Sequence, residues 1–203
     1  MLEEWVQRKY LDASFQKNLK KSFQKAKPYR HLVLKDFFKE KGLLKFKAAV
    51  LKEKFERKDI DLFSFYQTRE LFSSKNETIQ LFYGLFSSKD FSKLISKLTG
   101  EKLGKIDMHA HLYKQGDYLL FHDDVVEGRK IAYALNLSSG FSEKDGGKLQ
   151  MYDVKNPEKP AKEIIPAFNS LVIFQVSEKS LHAVEEIKSD KIRLSVGGWF
   201  YGH

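Results

Sequence analysis

Apolar residues in the first hundred positions recur at helical spacing. Four stripes predict four amphipathic helices, and the last has Ser88 as its cap and Gly100 as its stop. Pro28 should end the first helix, and "PYRHLVLKDFF" after it predicts a short strand and a turn. The stripes are Leu11, Phe15, Leu19 and Phe23; Leu44, Ala48, Leu51 and Phe55; Ile79, Phe82, Tyr83 and Phe86; and Phe91, Leu94, Ile95 and Leu98.

After Gly100 the period of the pattern changes to two, which is the spacing of β-strands. About eight short runs follow, separated by Gly, Pro, Asn and Ser turns. Many short strands of this kind favour a sandwich or jelly roll over a parallel sheet. We therefore expect a mainly β fold of the α+β class, with the N-terminal helices packed on one sheet.

Composition limits the function in two ways. The 203 residues suffice for one domain, and the chain has no cysteine, which excludes disulfides and Cys-ligated zinc. No apolar run approaches the length of a membrane span, and the N-terminus has no signal-peptide core, so we expect no membrane contact and a cytoplasmic protein.

The net charge of +9 is unevenly distributed. Residues 1–60 contain 17 Lys and Arg against 8 Asp and Glu, whereas the remainder is neutral with 19 of each. Such a basic region could meet RNA, a ribosome or an acidic protein, or it could simply solvate helix faces. No RNA-binding motif accompanies the charge, and direct contact with nucleic acid stays open.

Candidate metal ligands lie in "YLLFHDDVVEGRKIAYALNLSS", residues 118–139. On a strand, Leu120, His122 and Asp124 would share one face, with His122 and Asp124 about 7 Å apart at the backbone. His182 lies 60 positions further on and shares its face with Val184. Two imidazoles and one carboxylate form the facial triad of non-haem Fe(II) oxygenases, which leaves positions for a 2-oxo acid and O₂.

A candidate anion anchor follows in "KIRLSVGGWF". Strand phase places Arg193, Ser195 and Trp199 on one face. Arg193 lies about ten residues beyond His182, where its guanidinium can bind the far carboxylate of 2-oxoglutarate through a charge-assisted fork. The Ser195 hydroxyl can donate to the same oxygens.

The segments "LLFHDDVVEGRKIAYALNL", "DGGKLQMYD", "IIPAFNSLVIFQVSEKSLHAVEEI" and "RLSVGGWFYG" resemble the 2-oxoglutarate- and Fe(II)-dependent prolyl hydroxylases, most closely the ribosomal prolyl hydroxylases. The resemblance covers residues 27–203 and is strongest from 107 onward. It implies a double-stranded β-helix. It also implies a set of site residues: His122, Asp124 and His182 as iron ligands, Arg193 as the 2-oxoglutarate anchor with Ser195 and Tyr113 beside it, and Val184 and Trp199 in the pocket, with Asn136 where near relatives have a tyrosine.

The resemblance also implies a domain plan and a function. We expect an N-terminal helix over 1–26 and an oxygenase domain over 27–203, divided into helical support (27–105) and a β-helix core (106–203). The implied cofactors are Fe(II), 2-oxoglutarate and O₂, with ascorbate as a candidate reductant. The implied reaction is hydroxylation of a prolyl residue in a protein or peptide, with association with the ribosome as one option.

Three alternatives remain from the sequence. The chain could oxidise a small molecule or free amino acid, or it could be a non-catalytic β-helix binding module, although no ligand of the triad is lost. Nucleic-acid demethylation is disfavoured because Trp199 stands where such enzymes carry a second arginine. His109 and His111 share the strand phase of Tyr113 and could face the pocket, but we expect them to be surface residues or residues that support the ligands rather than a second metal pair.

Overall fold

The computed structural model describes residues 2–202. Its α-helices are α1 (Leu2–Trp5), α2 (Ala13–Lys25), α3 (Glu40–Val50), α4 (Glu77–Ser87) and α5 (Lys89–Thr99). Its strands are β1 (His31–Lys35), β2 (Phe55–Ile60), β3 (Phe63–Thr68), β4 (His109–Tyr113), β5 (Tyr118–His122), β6 (Arg129–Asn136), β7 (Leu149–Met151), β8 (Lys162–Ile164), β9 (Ser170–Gln175), β10 (His182–Val184) and β11 (Arg193–Tyr201). Within 2–202, no helix has the length and apolar character needed to cross a membrane.

The strands pair throughout in antiparallel fashion, in the order β1-β9-β6-β11-β4-β3-β5-β10-β7-β8, with β2 on the side of β3. Strand β3 pairs with β4 at one end and with β5 at the other, so it connects the two halves of the sheet. Both halves line one cavity, which places them face to face. The predicted α+β architecture, mainly β with N-terminal helices, is confirmed.

The side chains of β6 alternate between the two faces of the sheet, one packed against the helices and the other facing the cavity. In β6, Ile131, Tyr133 and Leu135 join the large apolar cluster with the helices, while Ala132 and Ala134 line the cavity on the other face. The cluster is rich in phenylalanine: Phe46 of α3 and Phe82 of α4 stack with ring centroids 3.8 Å apart. The helices are thus packed on one face of one sheet, as predicted.

Helix α5 begins and ends at its sequence signals, and α2 ends close to its predicted stop. In α5, the Ser88 hydroxyl accepts from the backbone N–H of Phe91, and Gly100 ends the helix with φ of 89°, a conformation that favours glycine. The four apolar residues of the α5 stripe are all buried. Helix α2 ends at Lys25, three residues before Pro28.

The predicted stripe of α3 is wrong in phase. The helix buries Leu43, Phe46 and Val50, whereas Leu44 and Leu51 are 47% and 50% exposed. Both sets fit helical spacing, since apolar residues occur in adjacent pairs at 43–44 and 50–51. The large ring of Phe46 decides between them, because it stacks on Phe82 in the core.

The predicted helical support over 27–105 is also wrong for residues 55–68. Helix α3 ends at Val50, and Phe55 begins the β2–β3 hairpin, in which Phe55 pairs with Thr68 and Ile60 with Phe63. Strand β2 is an edge strand with mostly polar, exposed side chains, so it carries no clear apolar alternation. The β-sheet therefore begins well before residue 106, while the division between 1–26 and 27–203 stays a prediction.

Candidate metal centre and anion pocket

A cavity of about 440 Å³ lies between the two halves of the sheet, a volume suited to a small molecule. Most of its wall is apolar. Its polar side chains are Gln67, His111, Tyr113, His122, Asp124, His182, Arg193 and Ser195.

The structure brings the three predicted metal ligands together. His122 ends β5, His182 begins β10, and the two residues are cross-strand partners with ring centroids 4.2 Å apart. The Nε2 atom of each imidazole lies 3.3 Å from a carboxylate oxygen of Asp124. All three candidate ligand atoms lie within 4.8 Å of one another, so one ion could contact all three.

Strand alternation does not explain this arrangement, and the predicted shared face of Leu120, His122 and Asp124 is wrong. Strand β5 ends at His122, and Asp124 has φ of 64°, in the left-handed region. His182 pairs with His122 but Val184 pairs with Leu119, so β5 contains a bulge. The bulge places Leu119 on the face of His122.

Backbone hydrogen bonds fix the orientation of both imidazoles. Nδ1 of His122 lies 2.9 Å from the carbonyl of Leu120, and Nδ1 of His182 lies 2.7 Å from the carbonyl of Ser180. A carbonyl only accepts, so Nδ1 carries the donated proton and Nε2 faces Asp124. This arrangement is typical of metal-binding histidines.

The electrostatics of the three groups favour a cation between them. Burial works against the charged form of Asp124, but hydrogen bonds from His122 and His182 outweigh it and hold the pKa of the carboxyl well below its usual range. Burial lowers the pKa of His122, and Asp124 more than restores it, so the pKa is raised. The two Nε2 atoms and the Asp124 carboxylate all present lone pairs to one another, so protons or a metal ion must lie between them. The set of two imidazoles and one carboxylate fits Fe(II).

Arg193 forms the other pole of the cavity. It begins β11 and is only 3% exposed, with its guanidinium carbon 5.0 Å from the ring centroid of Tyr113, its cross-strand partner. Its Nη1 lies 3.4 Å from Oγ of Ser195, and its Nε is buried without a partner. Among residues 2–202 no carboxylate pairs with it, and burial lowers the pKa of Arg193. A buried, uncompensated guanidinium fits an anionic ligand such as a carboxylate.

The remaining predicted pocket residues divide into two groups. Tyr113, Val184, Ser195 and Trp199 line the cavity. Asn136 is a cross-strand partner of Ser195 but lies outside the lining; its amide nitrogen is 3.5 Å from the carbonyl of Ser170, and its Oδ1 is buried without a partner. Contact between Asn136 and a ligand therefore stays a prediction.

Sequence reasoning missed two polar residues, Gln67 in the cavity wall and Arg129 beside Asp124. Gln67 enters the cavity from the β2–β3 hairpin, which the helical interpretation concealed. Arg129 places its guanidinium carbon 3.3 Å from the ring centroid of Trp199, and its Nη1 lies 3.5 Å from the carbonyl of Asp124. The sequence signal that could have indicated Arg129 is its position five residues beyond the predicted ligand Asp124.

Sequence comparisons extend these observations. Residues 108–201 match the model of the 2OG-Fe(II) oxygenase superfamily. Prolyl 3-hydroxylase OGFOD1 of Xenopus laevis is 38% identical over 182 residues, which cover 86% of this chain and 35% of that protein. Prolyl 3,4-dihydroxylase OGFOD1 of Ostreococcus tauri is 32% identical over 213 residues, 93% of this chain and 41% of that protein. The chain thus spans less than half the length of these relatives.

Solved structures share the fold. A Pseudomonas putida prolyl-4-hydroxylase superimposes with a TM-score of 0.76 at 17% identity, covering 93% of this chain and 99% of the other. A viral collagen prolyl hydroxylase from Paramecium Bursaria Chlorella virus-1, solved as a 2OG complex, gives 0.60 at 15% identity over 85% of this chain and 96% of the other. At such identities the likeness shows the fold, and the predicted double-stranded β-helix, or jelly roll, is confirmed.

Proposed function

We propose that this chain, whose residues 108–201 match the 2OG-Fe(II) oxygenase superfamily, is a dioxygenase that hydroxylates a prolyl residue of a protein. The observation that supports this most strongly is the pairing of two sites in one small cavity. Three facing ligand atoms lie on one side, and a buried arginine without a carboxylate partner lies on another.

We assign His122, Asp124 and His182 to Fe(II). The backbone carbonyls of Leu120 and Ser180 hold each imidazole with Nε2 turned toward Asp124, where these three residues would hold the ion. Arg193 would bind the far carboxylate of 2-oxoglutarate, with the Ser195 hydroxyl and the Tyr113 phenol as neighbouring donors. When bound, Fe(II) and 2-oxoglutarate supply the activation of O₂, with ascorbate as a candidate reductant.

The chain's own contribution is orientation and exclusion of water. Leu119 and Val184 pack together with Tyr113 in an apolar cluster beside the polar groups. This wall keeps the Arg193 anchor dry, which strengthens its attraction for a carboxylate.

A polypeptide substrate is consistent with the cavity mouth. Leu62, Leu120 and Phe121 line the cavity yet are 56%, 45% and 58% exposed, so an apolar rim joins the cavity to the surface. A prolyl ring is apolar and suits such a rim. The names of the curated relatives, prolyl 3-hydroxylase and prolyl 3,4-dihydroxylase, support proline as the target.

The test is succinate release from 2-oxoglutarate, with Fe(II) and O₂, in the presence of proline-containing peptides from a cell extract. We expect succinate together with a mass gain of one oxygen on a proline, and loss of both with His182→Ala. Succinate release with a free amino acid but with no peptide would favour the small-molecule alternative. Absence of both metal binding and succinate release would favour the non-catalytic module.

The basic N-terminal region supports a further part of the proposal, that the substrate lies on an anionic assembly such as a ribosome in the cytoplasm. Lys41, Lys45 and Lys52 are exposed on and just beyond α3. Changing all three to Glu should weaken co-sedimentation with ribosomes at low salt, and less at higher salt, because screening shortens the range of such forces below about 10 Å above 0.1 M. Equal binding of both proteins at low salt would leave solvation as the role of these lysines.

A further inference from the structure

A continuous row of polar residues crosses the cavity face of the larger half-sheet. Each member is the direct cross-strand partner of the next, and such partners project from the same face of the sheet. The row consists of Gln67 (β3), His111 (β4), Ser195 (β11), Asn136 (β6) and Ser170 (β9). The adjacent row holds Tyr113 and Arg193. His111 therefore lies directly opposite Ser195 and diagonally opposite Arg193, and both of these residues belong to the proposed anion anchor.

The imidazole of His111 is held from one side. Its Nε2 lies 3.1 Å from Nε2 of Gln67. Its Cε1 lies 3.9 Å from the position that a Cβ on Gly197 would take, so this edge of the ring is turned toward β11. Within residues 2–202, Nδ1 of His111 has no hydrogen-bond partner, and it is not among the buried unpartnered atoms, so it opens onto the cavity.

The contact with Gln67 determines where the proton of His111 lies. The amide nitrogen of Gln67 can only donate, so Nε2 of His111 accepts and the ring proton sits on Nδ1. Burial, together with the charges of His109 and Arg193, lowers the pKa of His111 to about 3, so the ring stays neutral. A neutral donor beside Arg193 adds a hydrogen bond without adding a second repelling charge.

We propose that His111, oriented by Gln67, is a further co-substrate-binding residue whose Nδ1–H donates to the carboxylate held by Arg193 and Ser195. This inference rests on the proposed function, because it assumes a 2-oxo dicarboxylate in the pocket. The chemistry it adds is specificity for a second carboxylate: an anion anchor of one cation and three neutral donors, Tyr113, Ser195 and His111, holds two oxygens more firmly than the arginine alone.

The experiment uses the full chain loaded with Mn(II) and measures binding of 2-oxoglutarate by calorimetry in three variants. His111→Asn places an amide nitrogen two bonds from Cβ, as Nδ1 is, and preserves the donor toward the ligand. His111→Gln places an amide oxygen three bonds from Cβ, as Nε2 is, where it can accept from the amide nitrogen of Gln67, and so preserves only that contact. His111→Leu removes both.

We expect unchanged Mn(II) affinity in all three variants. The dissociation constant for 2-oxoglutarate should stay within about three-fold in His111→Asn and rise about ten-fold or more in His111→Gln and His111→Leu, the loss expected for a hydrogen bond to a charged group. Wild-type affinity in His111→Leu, or equal affinities in His111→Asn and His111→Gln, would overturn the inference.

Arg193→Ala, measured in parallel, separates this inference from the proposed function. Binding that requires Arg193 but not His111 would overturn the inference alone. Failure of the wild type to bind 2-oxoglutarate would overturn both.

Discussion

Replacing Arg193 with Met should leave the ligand-free protein nearly as stable as the wild type or more stable, while removing most of its response to 2-oxoglutarate. Arg193 is 3% exposed, its Nε is buried without a partner, and no carboxylate of residues 2–202 pairs with it. Exchanging buried charged groups for apolar ones of similar volume is often neutral or stabilising by about 1–4 kcal/mol. The lost contact with the Tyr113 ring offsets about 0.5–2 kcal/mol of this gain. Together these ranges leave a net change between about 1 kcal/mol of destabilisation and about 3.5 kcal/mol of stabilisation.

The effect on ligand binding has the opposite sign. Truncating one partner of a buried charge pair costs about 2–5 kcal/mol, which corresponds to at least about 30-fold in the dissociation constant. At 2-oxoglutarate one hundred times above the wild-type constant, the wild type gains about 2.7 kcal/mol in its free energy of unfolding. The same concentration should stabilise Arg193→Met by less than about 0.9 kcal/mol. Arg193→Lys should recover part of the gain, because a point charge replaces the fork.

Urea unfolding of the full chain with Mn(II), with and without 2-oxoglutarate, measures both effects. Lys191→Met is the matched control, since Lys191 is a partly exposed cation two positions earlier that pairs with Asp145. The control should retain the full gain from the ligand. If Arg193→Met were destabilised by more than about 1 kcal/mol and still gained as much from 2-oxoglutarate as the wild type, Arg193 would be a structural residue and not the anchor.

Three further outcomes are expected. His182→Ala should lose Mn(II) binding in calorimetry while His109→Ala, outside the triad, retains it; equal binding by the two variants would contradict the ligand assignment. In the folded protein the pKa of His111 is lowered to about 3. Below about pH 6.5 the unfolded chain therefore binds a proton at His111 that the folded chain does not, and the free energy of unfolding decreases as the pH is lowered. Relative to His111→Asn, the wild type should lose at most about 1.4 kcal/mol per pH unit between pH 6.5 and 5 in urea titrations, and parallel pH profiles would refute this. Phe82→Ala, at a fully buried ring stacked on Phe46, should cost about 3–5 kcal/mol in the same assay, whereas a cost below about 1 kcal/mol would exclude it from the core.

Much of the helical layer could be predicted because its signals are local. The stripe of α5 and its two boundary residues, Ser88 and Gly100, depend only on neighbours within a few positions. The α3 stripe failed because two apolar phases compete in its sequence. The choice between Leu43 and Leu44 is made by the ring of Phe82, 39 residues away from Leu43, and no local pattern contains that information.

The β2–β3 hairpin could not be predicted for a related reason. Strand β2 lies at an edge and pairs only with β3, so its polar side chains meet solvent and show no apolar period. Its partner β3 is central and contributes Gln67 and Phe65 to the cavity. Missing the hairpin therefore meant missing Gln67, the residue that orients His111.

The closeness of the His122 and Asp124 side chains could be predicted, even though strand alternation was the wrong reason for it. Two residues separated by one other cannot lie far apart in any backbone conformation, so an imidazole and a carboxylate at this spacing can share an ion with or without a strand. The direction of the carboxylate is a different matter. It depends on the left-handed backbone of Asp124 and on the bulge that lets β5 pair with β10 at both Leu119 and His122. The bulge exists only in the paired sheet, because it is the mismatch between two residues of β5, Leu120 and Phe121, and the one residue of β10, Ala183, that lies opposite them. The residue types of a metal site can thus be identified from sequence. Which neighbouring side chains share the face of His122 depends on its pairing with β10, some 60 positions away.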